Sequence, residues 1–118
     1  LSHVILVVDD EPLIRMDAAQ IFRDEGYRVL EAADATQAME FLERHNDIKL
    51  LFTDVDMPGL MNGLQLAEEA RRRWPPIGLV VVSGRCDITA ETLPAGAVFL
   101  AKPYLSEVAL QITEQLTA

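Results

Sequence analysis

The feature that most limits what this chain can fold into is a rhythm. Short aliphatic, β-branched runs alternate with longer segments whose apolar residues recur every three or four positions. "HVILVV" (3–8), "RVLEA" (28–32), "IKLLFT" (48–53), "IGLVVVS" (77–83) and "AVFLA" (97–101) read as strands. The first, third and fourth are nearly continuous in apolar character, as strands buried on both faces are. After the first, Leu13, Ile14, Ala18, Ile21 and Phe22 follow Pro12 at helical spacing, and Gly26 offers the stop. Asp34 and Gln37 have capping-box spacing ahead of Ala38, Met39 and Leu42. Asn62 and Gln65 repeat it ahead of Leu66, Ala67, Ala70 and Trp74, until Pro75 and Pro76 end that helix. Ser106 is placed to cap a last helix with Val108, Ile112 and Leu116 on one face. Strand–helix alternation of this kind predicts a parallel sheet covered on both sides, since parallel neighbours need a crossover. "CDITAETLPAGA" (86–97), broken by Pro94 and Gly96, leaves room for a short, irregular helix at most.

The 118 residues fit one domain, and no linker, repeat or low-complexity tract suggests a boundary within 1–118. A net charge of −9 argues against a bulk electrostatic grip on nucleic acid or on anionic membrane. The single cysteine, Cys86, rules out an internal disulfide and suits a reducing compartment. No apolar stretch approaches the ~20 residues of a spanning helix, and no cleavable signal is visible. The expectation is a small cytoplasmic domain.

Chemistry gathers at the strand ends. In an open parallel sheet, ligands bind beyond the carboxyl ends of the strands, where the topology reverses. The first strand ends in Asp9 and Asp10, the third in Asp54, the fourth in Ser83 and the fifth at Lys102. Three carboxylates at one edge repel one another by about 3 kcal/mol per pair, taking ~5 Å separation and an effective dielectric of ~20. A bound divalent cation reverses that repulsion. Oxygen-only ligands suit Mg²⁺, whereas His3, His45 and Cys86 show no zinc spacing.

"LVVDDEP", "FTDVDMPG", "VVSG" and "FLAKPY", in this order at four strand ends, resemble the receiver (CheY-like) domain of bacterial two-component response regulators. The resemblance covers essentially the whole chain. It implies a flavodoxin-like (βα)5 three-layer α/β sandwich, with a five-stranded parallel sheet of order 2-1-3-4-5. It implies that Asp54 accepts a phosphoryl group from a phosphohistidine on a histidine kinase or phosphotransfer protein. Asp10 would bind Mg²⁺ directly, Asp9 largely through water, and Asp54 and the backbone carbonyl of Asp56 would complete the protein ligands. Lys102 and Ser83 would contact the phosphoryl group. Ser83 and Phe99 would then switch the face of the fourth helix, fifth strand and fifth helix, although Phe99 reads equally well as core. Asp56 and Arg85 either are solvated charges or govern the phosphoryl lifetime. The segment at 86–97 is about three residues shorter than the family's usual connection, so the output face departs from the pattern.

Rival readings are few. "LLFTDVDM" also fits the DxD opening of haloacid-dehalogenase-like phosphatases, with Asp54 as nucleophile and Asp56 as general acid. Met57 stands where that family prefers Thr or Val, and the chain lacks room for a cap. A phosphorylation-independent binding module is the other rival, although all five site positions are filled. "DDEP" after the first strand excludes a glycine-rich dinucleotide loop. The expectation is therefore a stand-alone signalling phosphoacceptor, not an enzyme, with an unidentified protein target and a weak homodimer left open.

Overall fold

The computed structural model describes residues 3–118. Strands β1 (Val4–Val8), β2 (Arg28–Ala32), β3 (Ile48–Asp54), β4 (Gly78–Ser83) and β5 (Val98–Ala101) form one parallel sheet. Its order is β2-β1-β3-β4-β5, the order expected. Helices α1 (Pro12–Asp24), α2 (Ala35–Arg44), α3 (Gly63–Arg73) and α4 (Ser106–Thr117) complete a doubly wound, three-layer fold.

Because successive strand residues point to opposite faces, each inner strand feeds two cores. Val4, Leu6 and Val8 join Leu51, Leu79 and Val81 beneath Ala38 and Leu42 of α2 and Leu66, Ala67 and Ala70 of α3. Ile5 and Val7 join Leu50, Phe52, Val80 and Val82 beneath Ala18 and Phe22 of α1 and Ala109 of α4. Phe22 meets Phe52 edge-on at 5.2 Å, and Phe52 meets Tyr104 at 5.8 Å, so one aromatic chain runs from α1 to the end of β5. β1 and β4 are buried throughout, while β2 and β5 form the half-buried edges.

The Asn62–Gln65 capping box is complete: the Asn62 side chain accepts from the Gln65 N–H at 2.9 Å, and Gln65 Oε1 accepts from the Asn62 N–H at 2.9 Å. The Asp34–Gln37 box is only half made. Asp34 accepts from the Gln37 N–H, but Gln37 Oε1 accepts from Ala33 instead.

Three expectations are corrected at the helix ends. Leu13 and Ile14 are 76% and 40% exposed, because the first turn of α1 starts beyond the carboxyl end of β1, at the open edge of the sheet. Ser106 is the first helical residue rather than the cap; Leu105 occupies the N-cap without a side-chain bond. Val108 is exposed, and the inner face of α4 is instead Ala109 and Thr113, whose hydroxyl donates to the Ala109 carbonyl. Ile112 and Leu116 pack at its margin as expected. Between β4 and β5 the chain makes a single 3-10 turn, Ala90–Thr92, with Gly96 at φ 75° closing the segment. The short, irregular fourth helix is thus observed as one turn.

Candidate functional site

The sheet register assembles the site. Val8 pairs with Thr53, so Asp9 and Asp54 leave the sheet side by side between β1 and β3, at the switch point of the topology. Asp54 pairs with Val82 and Ser83 with Ala101, and the Lys102 N–H donates to the Ser83 carbonyl at 3.0 Å. Asp9, Asp54, Ser83 and Lys102, predicted from four different strand ends, therefore meet at one edge. Asp10, next to Asp9 on the β1–α1 connection, is exposed.

Carboxylate oxygens from Asp9, Asp10 and Asp54 all lie within 4.8 Å of one another. Lys102 Nζ donates to Asp54 Oδ1 at 2.8 Å and stands 3.9 Å from Asp9 Oδ2. Burial raises the Asp54 carboxyl above the ordinary carboxylate range; the Lys102 bond opposes the rise, and Asp9 and Asp56 add to it. Burial likewise raises Asp9, against the Glu11 N–H and Lys102. For Lys102, burial works to lower the pKa, but the bond to Asp54 and the charge of Asp9 carry it above its usual value. A fixed cation sits among carboxylates that resist ionising together.

That donor set fits a hard divalent cation. It is oxygen-only, it converges on one point, and burial, with a smaller push from the neighbouring acids, raises the Asp9 and Asp54 carboxyls in spite of Lys102. The recess over Asp54, lined by Asp9, Phe52, Lys102 and Tyr104, holds about 20 Å³, room for an ion or a water rather than an organic ligand. A larger cavity of about 320 Å³ opens at the other end of the sheet, lined by Leu42, Ile48, Trp74 and Ile77. Without converging acids it does not compete as the reactive site.

Ser83 is buried, and its hydroxyl accepts from the Arg85 N–H at 3.0 Å. The Arg85 guanidinium bridges two loops: Nη1 donates to Asp56 Oδ1 at 3.1 Å, while Nε and Nη2 grip both oxygens of Asp87 at 3.0 and 2.6 Å. Asp56 and Arg85 thus form an ion pair, but Asp87, which the sequence reading passed over, holds Arg85 more fully. Phe99 is half-buried on β5. Tyr104 at the recess wall was also missed; it closes "FLAKPY", the same stretch that supplies Lys102.

A doubly wound parallel sheet with an acidic nest and a lysine at its switch point is the architecture of a phosphoacceptor signalling domain. The chain belongs to the response regulator receiver domain family of two-component systems: the family's model matches residues 5–114. Its sequence is 37% identical over 120 residues to the sensor kinase CckA of Brucella abortus, covering 98% of this chain and 13% of that protein. It is 38% identical over 103 residues to the transcriptional regulatory protein PdtaR of Mycobacterium tuberculosis, covering 85% of this chain and 49% of that one. Among solved structures, a receiver protein from Sinorhizobium medicae superposes with a TM-score of 0.91 at 25% identity, covering 98% of this chain and 94% of that one. The receiver domain of the hybrid histidine kinase CckA gives 0.81 at 34% identity, covering 98% and 99%. The chain spans half or less of these two curated relatives.

Proposed function

We propose that Asp54 receives a phosphoryl group from the phosphohistidine of a cytoplasmic histidine kinase or phosphotransfer protein, with Mg²⁺ in the nest. The observation that carries this is the convergence of Asp9, Asp10 and Asp54 beside Lys102 at the switch point. An Asp54 oxygen attacks phosphorus in line; the new O–P bond replaces the P–N bond, whose electrons return to the departing imidazole. An ionised carboxylate needs no general base, so the protein's work is placement and charge neutralisation. Mg²⁺, when bound, would supply that neutralisation, held by the carboxylates of Asp9, Asp10 and Asp54 together with the Asp56 carbonyl. Lys102 pairs with one phosphoryl oxygen as a point charge. Ser83 leaves the Arg85 N–H to bond another, and Phe99 turns inward behind it. This switching remodels the face of β5, the 3-10 turn and α4 that the target protein reads. The chain promotes only its own phosphorylation and dephosphorylation. Leu13 and Met16 on α1 and Leu105 before α4 are exposed apolar residues flanking the site, suited to docking the phosphodonor. Incubation with Mg²⁺ and acetyl phosphate or phosphoramidate tests the reading: one labile phosphoryl per chain is expected, and none when a chelator replaces the metal.

Two further outcomes arise here. Raised carboxyl pKa values mean that the fold takes up these protons more readily than the unfolded chain does. Without metal, Asp9 and Asp54 therefore destabilise the fold above their folded pKa values, a cost that disappears as pH falls. Protons also compete with the ion. Calorimetric Mg²⁺ affinity is thus expected to decline across the acidic range, beginning at a higher pH than ordinary carboxylates would allow. An affinity flat across that range would contradict the coupling. Replacing Asp56 and Arg85 together by alanine removes the strap beside Asp54. The phosphoryl lifetime is expected to shorten about twofold to fivefold, the scale of an exposed ion pair. An unchanged decay rate would show that these two charges are merely solvated.

A further inference from the structure

Asp10 is the ligand with the least visible support. It is exposed, and among the described residues no side chain donates to its carboxylate. Its direction is therefore set by the main chain. The Asp9 N–H is tied to the Ala32 carbonyl at 3.1 Å, and Asp9 Oδ1 accepts from the Glu11 N–H at 2.9 Å. The carbonyl between Asp9 and Asp10 accepts from Arg15 Nη1, reaching down from α1, at 3.0 Å. The same guanidinium donates through Nε to Glu31 Oε1 at 3.3 Å. Arg23 takes the other Glu31 oxygen at 3.0 Å and also donates to the Val29 carbonyl. The Arg15 and Glu31 side chains are only 18% and 23% exposed, so this is a packed contact rather than a loose surface pair.

We propose that Arg15 is the positioning residue of the acidic nest, clamping the Asp9–Asp10 peptide unit, and that Glu31, braced by Arg23, orients Arg15. This rests on the reading of the nest as a Mg²⁺ site and goes beyond it, because neither Arg15 nor Glu31 is one of the three acids that converge there. The geometry needs arginine in particular. One planar fork must meet a carbonyl on one side and a carboxylate on the other, and the point charge of lysine does not reproduce that.

The sign of the effect separates positioning from charge. A cation beside the nest repels Mg²⁺, so on electrostatics alone Arg15→Gln should tighten binding and Arg15→Lys should leave it unchanged. Positioning predicts the opposite: both variants weaken Mg²⁺ binding about tenfold, as loss of an outer-shell partner commonly does. Adding Glu31→Gln to Arg15→Gln should cost nothing further if Glu31 acts through Arg15.

The test is Mg²⁺ titration by calorimetry of wild type, Arg15→Lys, Arg15→Gln and the double variant. Amide hydrogen exchange of Glu11 in the metal-free proteins supplies a second readout. Expected are weaker binding in both single variants and faster Glu11 exchange, since the turn through Asp9 loosens. Wild type that binds no Mg²⁺ would sink the site reading itself. Wild type that binds while both variants bind equally or more tightly would overturn the role of Arg15 alone. Should Arg15→Gln fail to fold, Arg15→Lys still decides, because its charge is retained and only the fork is lost.

Discussion

Asp54→Asn is expected to abolish phosphoryl uptake from acetyl phosphate while leaving the fold intact. The amide matches the carboxylate in shape, but its oxygen lacks the charge that makes Asp54 a nucleophile. The loss should therefore be complete within detection rather than severalfold. Stability should not follow activity. Burial and the neighbouring acids already raise the Asp54 carboxyl, so neutralising it relieves a cost, and Lys102 retains Asp9 nearby. In metal-free buffer the thermal midpoint of the variant is expected to equal or exceed that of wild type. Intact mass and a melting curve measured side by side check both halves. A variant that still gains a phosphoryl group would place the acceptor elsewhere.

Gly63→Ala is expected to create the most severe clash of any glycine-to-alanine change in the molecule. A Cβ on Gly63 would collide with the Asp54 carbonyl oxygen and lie 2.7 Å from its carbon and 2.9 Å from the Val55 Cα. All three are main-chain atoms, so no side chain can swing away. The Gly63 N–H also donates to the Val55 carbonyl at 2.8 Å, which fixes the start of α3 against the end of β3. Alanine gains about 1 kcal/mol of helix propensity over glycine. Overpacking of this severity costs more, about 3 kcal/mol or above, which lowers the midpoint by roughly 10 °C or more. Gly78→Ala provides the comparison. Its Cβ would meet Leu116 Cβ and Leu50 Cδ1 at 3.0 Å, a closeness that a shift of a few tenths of an ångström relieves, so a milder loss is expected. Equal midpoints for Gly63→Ala and wild type would show that α3 does not abut the acceptor strand as described. Because the clash falls on the Asp54 peptide, any folded fraction should also accept phosphoryl more slowly.

How much of this the sequence disclosed follows from the range of each interaction. Strand ends were legible because an apolar run that stops at a polar or charged residue is a local pattern; Asp9, Asp10, Asp54, Ser83 and Lys102 were all found that way. The Asn62–Gln65 box was legible for the same reason, as both halves lie within one helical turn. The 2.8 Å contact of Lys102 with Asp54 joins residues 48 apart and depends on the registers of three strands, which no local pattern encodes. Arg15 and Glu31 escaped notice for a related reason. Each reads alone as an ordinary surface charge, and only the pairing of β1 with β2 beneath α1 brings them together. The errors at Leu13, Ile14 and Val108 share another cause. Helical spacing shows that residues share a face, but not whether a strand lies beneath that turn. Asp87 sits in a segment without periodicity, where spacing carries no signal.

The most direct measurement locates the acyl phosphate itself. The protein is phosphorylated with acetyl phosphate and Mg²⁺, reduced with borohydride, which converts an aspartyl phosphate to homoserine, and then digested and mapped. Homoserine at position 54, with Asp9, Asp10 and Asp56 intact, is the expected result. Homoserine at 9, 10 or 56, or no reduced residue in a chain that has gained phosphoryl mass, would contradict the assignment of Asp54 as the acceptor.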